Sequence, residues 1–126
     1  MLEKKIQTVV NKNRRKNEVA INNRWANEFK KRADSLEENY LTYLNKGMVD
    51  RDKWYERMIK SHREGERVHR EAASILSRIG DEKLSSMSNK DFDKYKYICR
   101  SKLDKIVKQY KLDPEEAHDT KLFYNH

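Results

Sequence analysis

Residues 18–46 read EVAINNRWANEFKKRADSLEENYLTYLNK, and this stretch decides the fold class. Its apolar side chains recur every three or four residues and span about 140° of a helical wheel, which is typical of an amphipathic helix. They are Ile21, Trp25, Phe29, Ala33, Leu36, Tyr40 and Leu44, with Tyr43 beside them. Gly47 follows at the position of a left-handed helix cap. We therefore predict a helix over residues 18–46.

A second stretch repeats this pattern after a short link. Residues 50–79 carry apolar and small side chains at helical spacing, with Asp50 or Asp52 as the N-terminal cap and Gly80 as the end signal. Two long helices joined by the short link at 46–49 are expected to fold back on each other. The first two thirds of the chain therefore predict an antiparallel helical hairpin.

The remaining sequence predicts two further helices. Residues 81–88 form a serine-rich connector, and Ser88 with Asp91 is close to a capping box that opens a helix over 88–111. Asp113 followed by proline then starts a short C-terminal helix over 113–122. Patterns typical of strands are nearly absent. The predicted fold class is all-α, a long hairpin plus a third helix and a short fourth helix in a small bundle.

The first seventeen residues differ from the rest in pattern. Four apolar residues at spacings of three and four are followed by seven polar residues at 11–17. Extending the wheel backwards indicates that the buried stripe starts near Ile21. We therefore predict that residues 1–17 are a basic arm or a helical extension, and that 18–126 form a single helical domain.

Composition excludes several classes of protein. The 126 residues include 29 Lys and Arg against 21 Asp and Glu, a formal charge of +8, and Cys99 is the only cysteine. No apolar run approaches the ~18 residues of a membrane span, and no secretory signal is evident. One cysteine excludes a disulfide framework and favours a reducing compartment. We expect a cytoplasmic protein that makes no use of a membrane.

Motifs of nucleophilic and phosphate chemistry are also missing from the sequence. It contains no glycine-rich phosphate loop, nucleophile elbow or Cys–His motif. Cys99 falls on the apolar face of the third predicted helix and is interpreted as a core residue. We therefore expect a protein that is not an enzyme and has no cofactor.

Charge is distributed unevenly along the chain. Residues 1–33 carry ten Lys and Arg against three acids, whereas 113–126 carry one against four. Such a cationic helix neutralises phosphates and releases their counterions. Trp25 and Phe29 would support it from the core side. We predict binding to DNA, RNA or a protein–nucleic-acid assembly through these residues: Lys12, Arg14, Arg15, Lys16, Arg24, Lys30, Lys31 and Arg32.

An alternative from another class is a protein-binding adaptor or inhibitor. Its basic helix would dock on an acidic surface of a larger enzyme or polymerase, anchored by aromatic side chains. The tyrosines at the edges of the apolar stripes are candidate anchors: Tyr43, Tyr55, Tyr97 and Tyr124. Because each stripe is narrow, a homodimer of two hairpins would also bury the long helices well.

A remote alternative is a di-metal helical bundle. Glu66 and His69, and again Glu115 and His118, have the Glu-x-x-His spacing that offers two ligands from one helix face. Inward-facing glutamates on the other helices are not evident, so we expect no metal site. His62 and His69 are interpreted as histidines at the interior edge of the hairpin.

Overall fold

The computed structural model describes residues 1–113 and 121–123, and its regular elements are helices joined by short turns. They are α1 (Leu2–Asn45), α2 (Trp54–Ser77), α3 (Asp81–Ser85) and α4 (Asn89–Gln109). Residues 121–123 are also helical, although most of the predicted C-terminal helix lies outside the described residues. Across those residues no strand occurs and no helix is both long and apolar enough to span a bilayer. The all-α prediction is confirmed.

The two long helices form the predicted antiparallel hairpin. Arg15, near the start of α1, donates a hydrogen bond to the carbonyl of Ile79, just after the end of α2. At the opposite end, the rings of Tyr40 and Tyr55 stack with their centroids 5.1 Å apart. Between these points Gly65 lies so close to Phe29 that an added Cβ would come within 2.5 Å of the phenyl ring. The glycine therefore permits the close approach of α2 to α1.

Helix α4 returns along α2 in the opposite direction. Lys102 pairs with Glu71 at 3.7 Å, and the Tyr110 hydroxyl donates to Glu64 at 2.8 Å. Since α2 is antiparallel to both neighbours, α1 and α4 run parallel to each other. The three helices alternate in direction, and α3 forms the turn between α2 and α4.

The core has two parts. One lies between the middle of the hairpin and the second half of α4, and its buried members are Phe29, Leu36, Met58, Leu103, Ile106, Leu112, Leu122 and Phe123. The other fills the α2–α3–α4 junction with Leu76, Ile79, Leu84, Met87 and Phe92. Cys99 is buried on α4, as predicted for a core residue.

Local signals placed two of the helix ends correctly, the end of α1 and the start of α4. Gly47 has φ +76°, and the amides of Met48 and Gly47 bond back to the carbonyls of Tyr43 and Leu44 at 3.3 and 2.9 Å. This is the Schellman arrangement that glycine favours. The capping box between Ser88 and Asp91 is present at the start of α4. Before α2 the chain makes a 3-10 turn at Arg51–Lys53, and Asp50, which precedes that turn, accepts a hydrogen bond from the Tyr55 amide at 3.0 Å.

Other boundary predictions were wrong: the first helix begins at Leu2 rather than at residue 18, and α2 begins at Trp54 rather than at residue 50. Residues 1–17 continue α1 without a break, so this segment takes the helical form of the two that the sequence allowed. Helix α2 ends at Ser77, and Gly80 is extended with φ −72°, where it begins α3 instead of capping α2. The predicted connector at 81–88 contains α3 because the buried Leu84 anchors that turn in the junction core.

Candidate nucleic-acid interface

Two of the predicted phosphate contacts, Arg14 and Arg15, are directed at the protein itself. The Arg15 guanidinium donates to the carbonyl of Ile79. Arg14 donates to the side-chain oxygen of Asn89, pairs with Asp93 at 3.2 Å and lies 4.8 Å above the Phe92 ring. Both side chains are half-buried. Their hydrogen bonds and the ion pair therefore connect the first part of α1 to the α2–α3–α4 junction.

The other six cations lie in different surroundings. Lys12 pairs with Asp81 at 3.3 Å. Arg32 is half-buried. Four are exposed and make no ion pair with any residue in the described ranges 1–113 and 121–123: Lys16, Arg24, Lys30 and Lys31. The eight predicted residues therefore do not form one surface.

Two pockets adjoin α1: one is lined by Lys31 and Arg32 together with His62 and Lys121, and the other lies between α1 and α4 and is lined by none of the eight predicted cations. In the α1–α4 pocket, Ile21 and Trp25 of α1 form one wall, and Lys96 and Arg100 of α4 form the other. Its volume is about 170 Å³, below the roughly 300–1,000 Å³ typical of drug-sized ligand sites. The pocket therefore suits one planar ring better than a whole nucleotide.

The floor of this pocket is a connected set of side chains from three helices. Asn22 of α1 accepts a hydrogen bond from His69 Nδ1 of α2 at 2.8 Å, and the Cys99 thiol of α4 donates weakly to the same oxygen at 3.9 Å. The Asn22 amide nitrogen in turn donates to the backbone carbonyl of Glu18 at 2.9 Å. These bonds hold Asn22 in one orientation, so the floor is rigid.

Cys99 and His69 lie close together but are not arranged for nucleophilic chemistry. Burial raises the pKa of the Cys99 thiol above its ordinary value, which disfavours the reactive thiolate. Both side chains are directed at the Asn22 oxygen. The His69 ring also packs against Trp25 and Phe29, with centroids 6.3 and 5.9 Å away.

Glu18 lines the pocket and is only 9% exposed. Its carboxylate makes no hydrogen bond or ion pair with the residues that the structure describes. The pocket therefore offers an unused hydrogen-bond acceptor next to a cationic rim.

The Glu-x-x-His pairs do not form a metal centre within the described part of the chain. Glu66 pairs with Arg70 at 3.2 Å, whereas His69 faces Asn22. The second pair, Glu115 and His118, lies outside the described residues. No group of three or more His, Cys, Asp or Glu arranged to hold a metal occurs in 1–113 or 121–123. His62 and His69 are buried in the hairpin.

The tyrosines do not make one exposed face. Tyr43 and Tyr55 pack on each other with centroids 5.3 Å apart, whereas Tyr97 on α4 is 65% exposed. Tyr124 lies outside the described residues. A protein-docking face would need several of these tyrosines exposed on one continuous surface. The three that the structure describes do not form such a surface.

Sequence reasoning missed the part of the site that α4 contributes. Lys96 and Arg100 belong to residues 81–112, which contain nine Lys and Arg against five acids. This excess of positive charge could have indicated that α4 contributes to the site. Trp25 was interpreted as a core support, but it reaches the pocket surface. No protein-family model, curated protein or solved structure matches the chain, so the site stands on its own geometry.

Proposed function

We propose that the chain is a non-enzymatic helical module that binds nucleic acid along the α1–α4 side of the bundle. The contacts to phosphate come from three exposed residues, which we call the groove cations: Lys96, which lines the α1–α4 pocket, Arg24 of α1, and Lys31, which lines a second pocket with Arg32 and Lys121. Arg14 and Arg15 are left out of this set because they bond to the protein.

One contrast between helices carries this proposal. Every arginine of α2 pairs with an acid, as in the contacts of Arg63 with Asp34 at 2.8 Å and with Glu37 at 2.7 Å. The groove cations have no such partner among the described residues. Unpaired cations beside a groove attract a polyanion, because binding releases condensed counterions. Exposed cations without an acidic partner also occur elsewhere, as at Lys60 of α2, so it is the combination of such cations with a concave surface that favours the α1–α4 side.

The shape of the bundle supports a binding role over catalysis. The α1–α4 pocket is small, and its thiol has a raised pKa caused by burial. The single cysteine, Cys99, is buried, and a chain without a disulfide framework suits a reducing compartment such as the cytoplasm, which we include in the proposal.

The test compares two triple variants that remove the same charge. The first carries Arg24→Gln, Lys31→Gln and Lys96→Gln, and the second carries Lys46→Gln, Arg51→Gln and Lys60→Gln at exposed positions elsewhere. Fluorescence anisotropy with single-stranded DNA, duplex DNA and structured RNA at ~50 mM salt measures the Kd. We expect the first variant to weaken binding about tenfold or more and the second to change it little.

Two results would contradict this proposal. Absence of binding by the wild-type protein to all three nucleic acids would remove the function itself. Equal weakening by the two variants would show that net charge, and not the α1–α4 side, determines affinity. Circular dichroism of both variants confirms that the helices are intact.

A second candidate function, a protein-binding adaptor, is favoured by an exposed apolar patch. Ile6 and Val9 are 54% and 60% exposed, and with Leu2 and Val10 they form a face near the start of α1. Such patches mark interaction sites when they are contiguous. This candidate predicts that Ile6→Ser with Val9→Ser abolishes capture of a protein partner and leaves nucleic-acid affinity unchanged.

A further inference from the structure

The side of α1 that is turned away from the bundle carries a row of side chains that the proposed function uses only in part. Its members follow one another at spacings of four, three and four residues, which places them in line along one side of a helix. All are exposed, and they are Asn13, Asn17, Ala20 and Arg24. On the other side of α1, Asn11, Glu18 and Asn22 are buried against the rest of the bundle. The row is therefore an exposed helix face.

The polar groups of this row are not used within the part of the chain that the structure describes. Neither Asn13 nor Asn17 makes a side-chain hydrogen bond there, and Arg24 makes no ion pair. Farther along the same helix, by contrast, Asn27 accepts a hydrogen bond from Arg70 at 2.8 Å. A side-chain amide offers a donor and an acceptor side by side. The row therefore presents unused hydrogen-bonding groups at fixed positions on a long helix.

Positive charge lies on both sides of the row. Within residues 4–27 the only acid is Glu18, and it is buried. Lys16 lies along one edge of the row, and Lys96 of α4 lies near the other edge, where it lines the α1–α4 pocket together with Ile21. Both lysines are exposed and pair with no acid among the described residues. A polyanion with phosphates on both sides of a groove is therefore the complementary partner.

We propose that α1 enters the major groove of duplex DNA, where Asn13 and Asn17 read adenines and Ala20 contacts a thymine methyl group. This inference rests on the proposed function, because the cations of α1 and α4 must first hold the DNA. Asparagine pairs with the N6 and N7 edge of adenine, and small apolar side chains contact the thymine methyl group. Lys16 and Lys96 contact the phosphates of the two strands that border the groove. The site therefore prefers A·T pairs.

The length of α1 agrees with this arrangement. Its 44 residues span about 66 Å, whereas the major groove winds around the duplex once in roughly 34 Å. A straight helix cannot follow the groove, so only a short segment reaches the base edges, and residues 13–20 are such a segment of about 10 Å. Arg24 and Lys31 follow on the same side of α1 and meet phosphates where the helix leaves the groove. They keep the role that the proposed function gives them.

Other partners suit this face less well. The major groove of an RNA helix is too deep and narrow for side chains to read the base edges. A single strand would pair with the cations, but its bases would find no aromatic platform, because the row contains no aromatic residue. The same lack of aromatic anchors disfavours a protein partner. Duplex DNA uses the cations, the two amides and the alanine together.

The experiment uses three DNA duplexes of about 20 base pairs, which match the length of α1 at roughly 3.4 Å per pair. The first contains only A·T pairs. The second carries 7-deazaadenine in place of adenine and so lacks the N7 acceptor, and the third carries uracil in place of thymine and so lacks the methyl group. Both changes lie in the major groove and leave the phosphates as they are.

Fluorescence anisotropy with the full-length protein at ~50 mM salt measures each Kd. We expect the 7-deazaadenine duplex to bind about tenfold more weakly than the unmodified duplex, because an asparagine loses one of its two bonds to each adenine. The uracil duplex is expected to bind about threefold more weakly, because the alanine loses an apolar contact.

Variants identify the residues responsible. Asn13→Ala with Asn17→Ala is expected to weaken binding to the A·T duplex about tenfold and to abolish the difference between adenine and 7-deazaadenine. The matched control is Asn39→Ala with Asn45→Ala, which removes two exposed asparagines of the same helix and is expected to retain the affinity and the difference. A single strand of the same length is the reference. Because phosphate contacts alone hold it, its affinity is expected to be the same for both variants and the wild type.

The outcomes separate this inference from the proposed function. If neither the duplexes nor the single strand bind, the proposed function is overturned and the inference with it. If the three duplexes bind equally, nucleic-acid binding stands and reading of the major groove is overturned. Equal weakening by the two asparagine variants, with wild-type thermal unfolding for both, would also overturn the inference, because the effect would then not be specific to Asn13 and Asn17.

Discussion

The two halves of α1 bury different chemistry in one continuous helix. Between residues 26 and 36 the buried side chains are Ala26, Phe29, Ala33 and Leu36, which pack on α2. Between residues 11 and 22 they are Asn11, Glu18 and Asn22, while Ile21 is exposed. We refer to these segments as the apolar half and the polar half of α1.

The difference follows from what each half covers. The apolar half lies along the side of α2, where the backbone is already satisfied by helical hydrogen bonds. The polar half covers the α2–α3–α4 junction, where terminal carbonyls lack helical partners. Asn11 donates to the carbonyls of Leu84 and Met87 at 2.6 and 3.0 Å, and Arg15 donates to that of Ile79. Side chains that donate hydrogen bonds to these carbonyls are therefore favoured at this end of α1.

The largest effect is expected in the apolar half. Phe29→Ala removes a fully buried ring that contacts His62, His69 and Phe123. We expect a loss of about 3–5 kcal/mol in the free energy of unfolding, from lost burial and the cavity left behind. Urea denaturation followed by circular dichroism measures it. A loss below about 1 kcal/mol would place the stabilising core elsewhere.

The polar half is expected to contribute less, but through specific bonds. Asn11→Ala removes the side-chain donor of the Met87 carbonyl and one of two donors of the Leu84 carbonyl, which keeps the Met87 amide at 3.2 Å. We expect a loss of about 1–3 kcal/mol in the free energy of unfolding. The matched control is Asn13→Ala, at an exposed position two residues away. Urea denaturation of both variants gives the comparison. If they unfold alike, the Asn11 contacts do not stabilise the junction.

A third prediction concerns the capping box at the start of α4, which also borders the α2–α3–α4 junction. Ser88 accepts from the Asp91 amide, and its backbone N–H donates to the Asp91 carboxylate at 2.8 Å. Because α4 begins at this cap, Ser88→Ala should destabilise the fold by about 0.5–2 kcal/mol. Thermal unfolding at neutral pH measures the loss. An unchanged Tm would mean that the junction core alone fixes the start of α4.

The same cap has a pH dependence. Hydrogen bonds from the Ser88 backbone and hydroxyl lower the pKa of Asp91 below its ordinary value of 3.8. A lowered folded-state pKa contributes stability above the unfolded value and loses it as the pH falls through the folded value. The difference in the free energy of unfolding between the wild type and Asp91→Asn should therefore become smaller below about pH 3.8. A gap that is constant down to acid pH would contradict this role for the carboxylate.

The smallest effect is expected at the exposed apolar patch. Val10→Ser changes a side chain that is 53% exposed, so we expect a change within about 0.5 kcal/mol. Urea denaturation at two protein concentrations checks this value. A larger loss that depends on concentration would indicate that a second copy covers the patch, as in the homodimer that the narrow stripes allow.

The comparison also explains what sequence analysis could predict. Phe29 and Leu36 were predicted as core because apolar periodicity marks a face buried against other apolar groups. Gly47 and the Ser88–Asp91 cap were predicted because such signals depend on a few adjacent residues. All of these are local patterns.

The polar half and the pocket could not be predicted in this way. The acceptors of Asn11 lie 73 and 76 residues along the chain, and a buried polar face has no hydrophobic period. From the sequence only the positive charge of Arg14 and Arg15 could be seen, so they were predicted to contact phosphate. The pocket forms because α4 runs parallel to α1 and brings Lys96 close to Glu18. This alignment of the two helices depends on the tertiary fold and cannot be inferred from neighbouring residues in the sequence.

The most direct test of the account is the salt dependence of affinity for a single strand. A plot of log affinity against log salt has a slope of about −0.7 for each phosphate neutralised on a single strand. We predict that replacing Arg24, Lys31 and Lys96 by glutamine reduces the steepness by about 2, and that replacing Lys46, Arg51 and Lys60 leaves it unchanged. An identical slope for the wild type and the groove variant would contradict the assignment of the α1–α4 side as the binding surface.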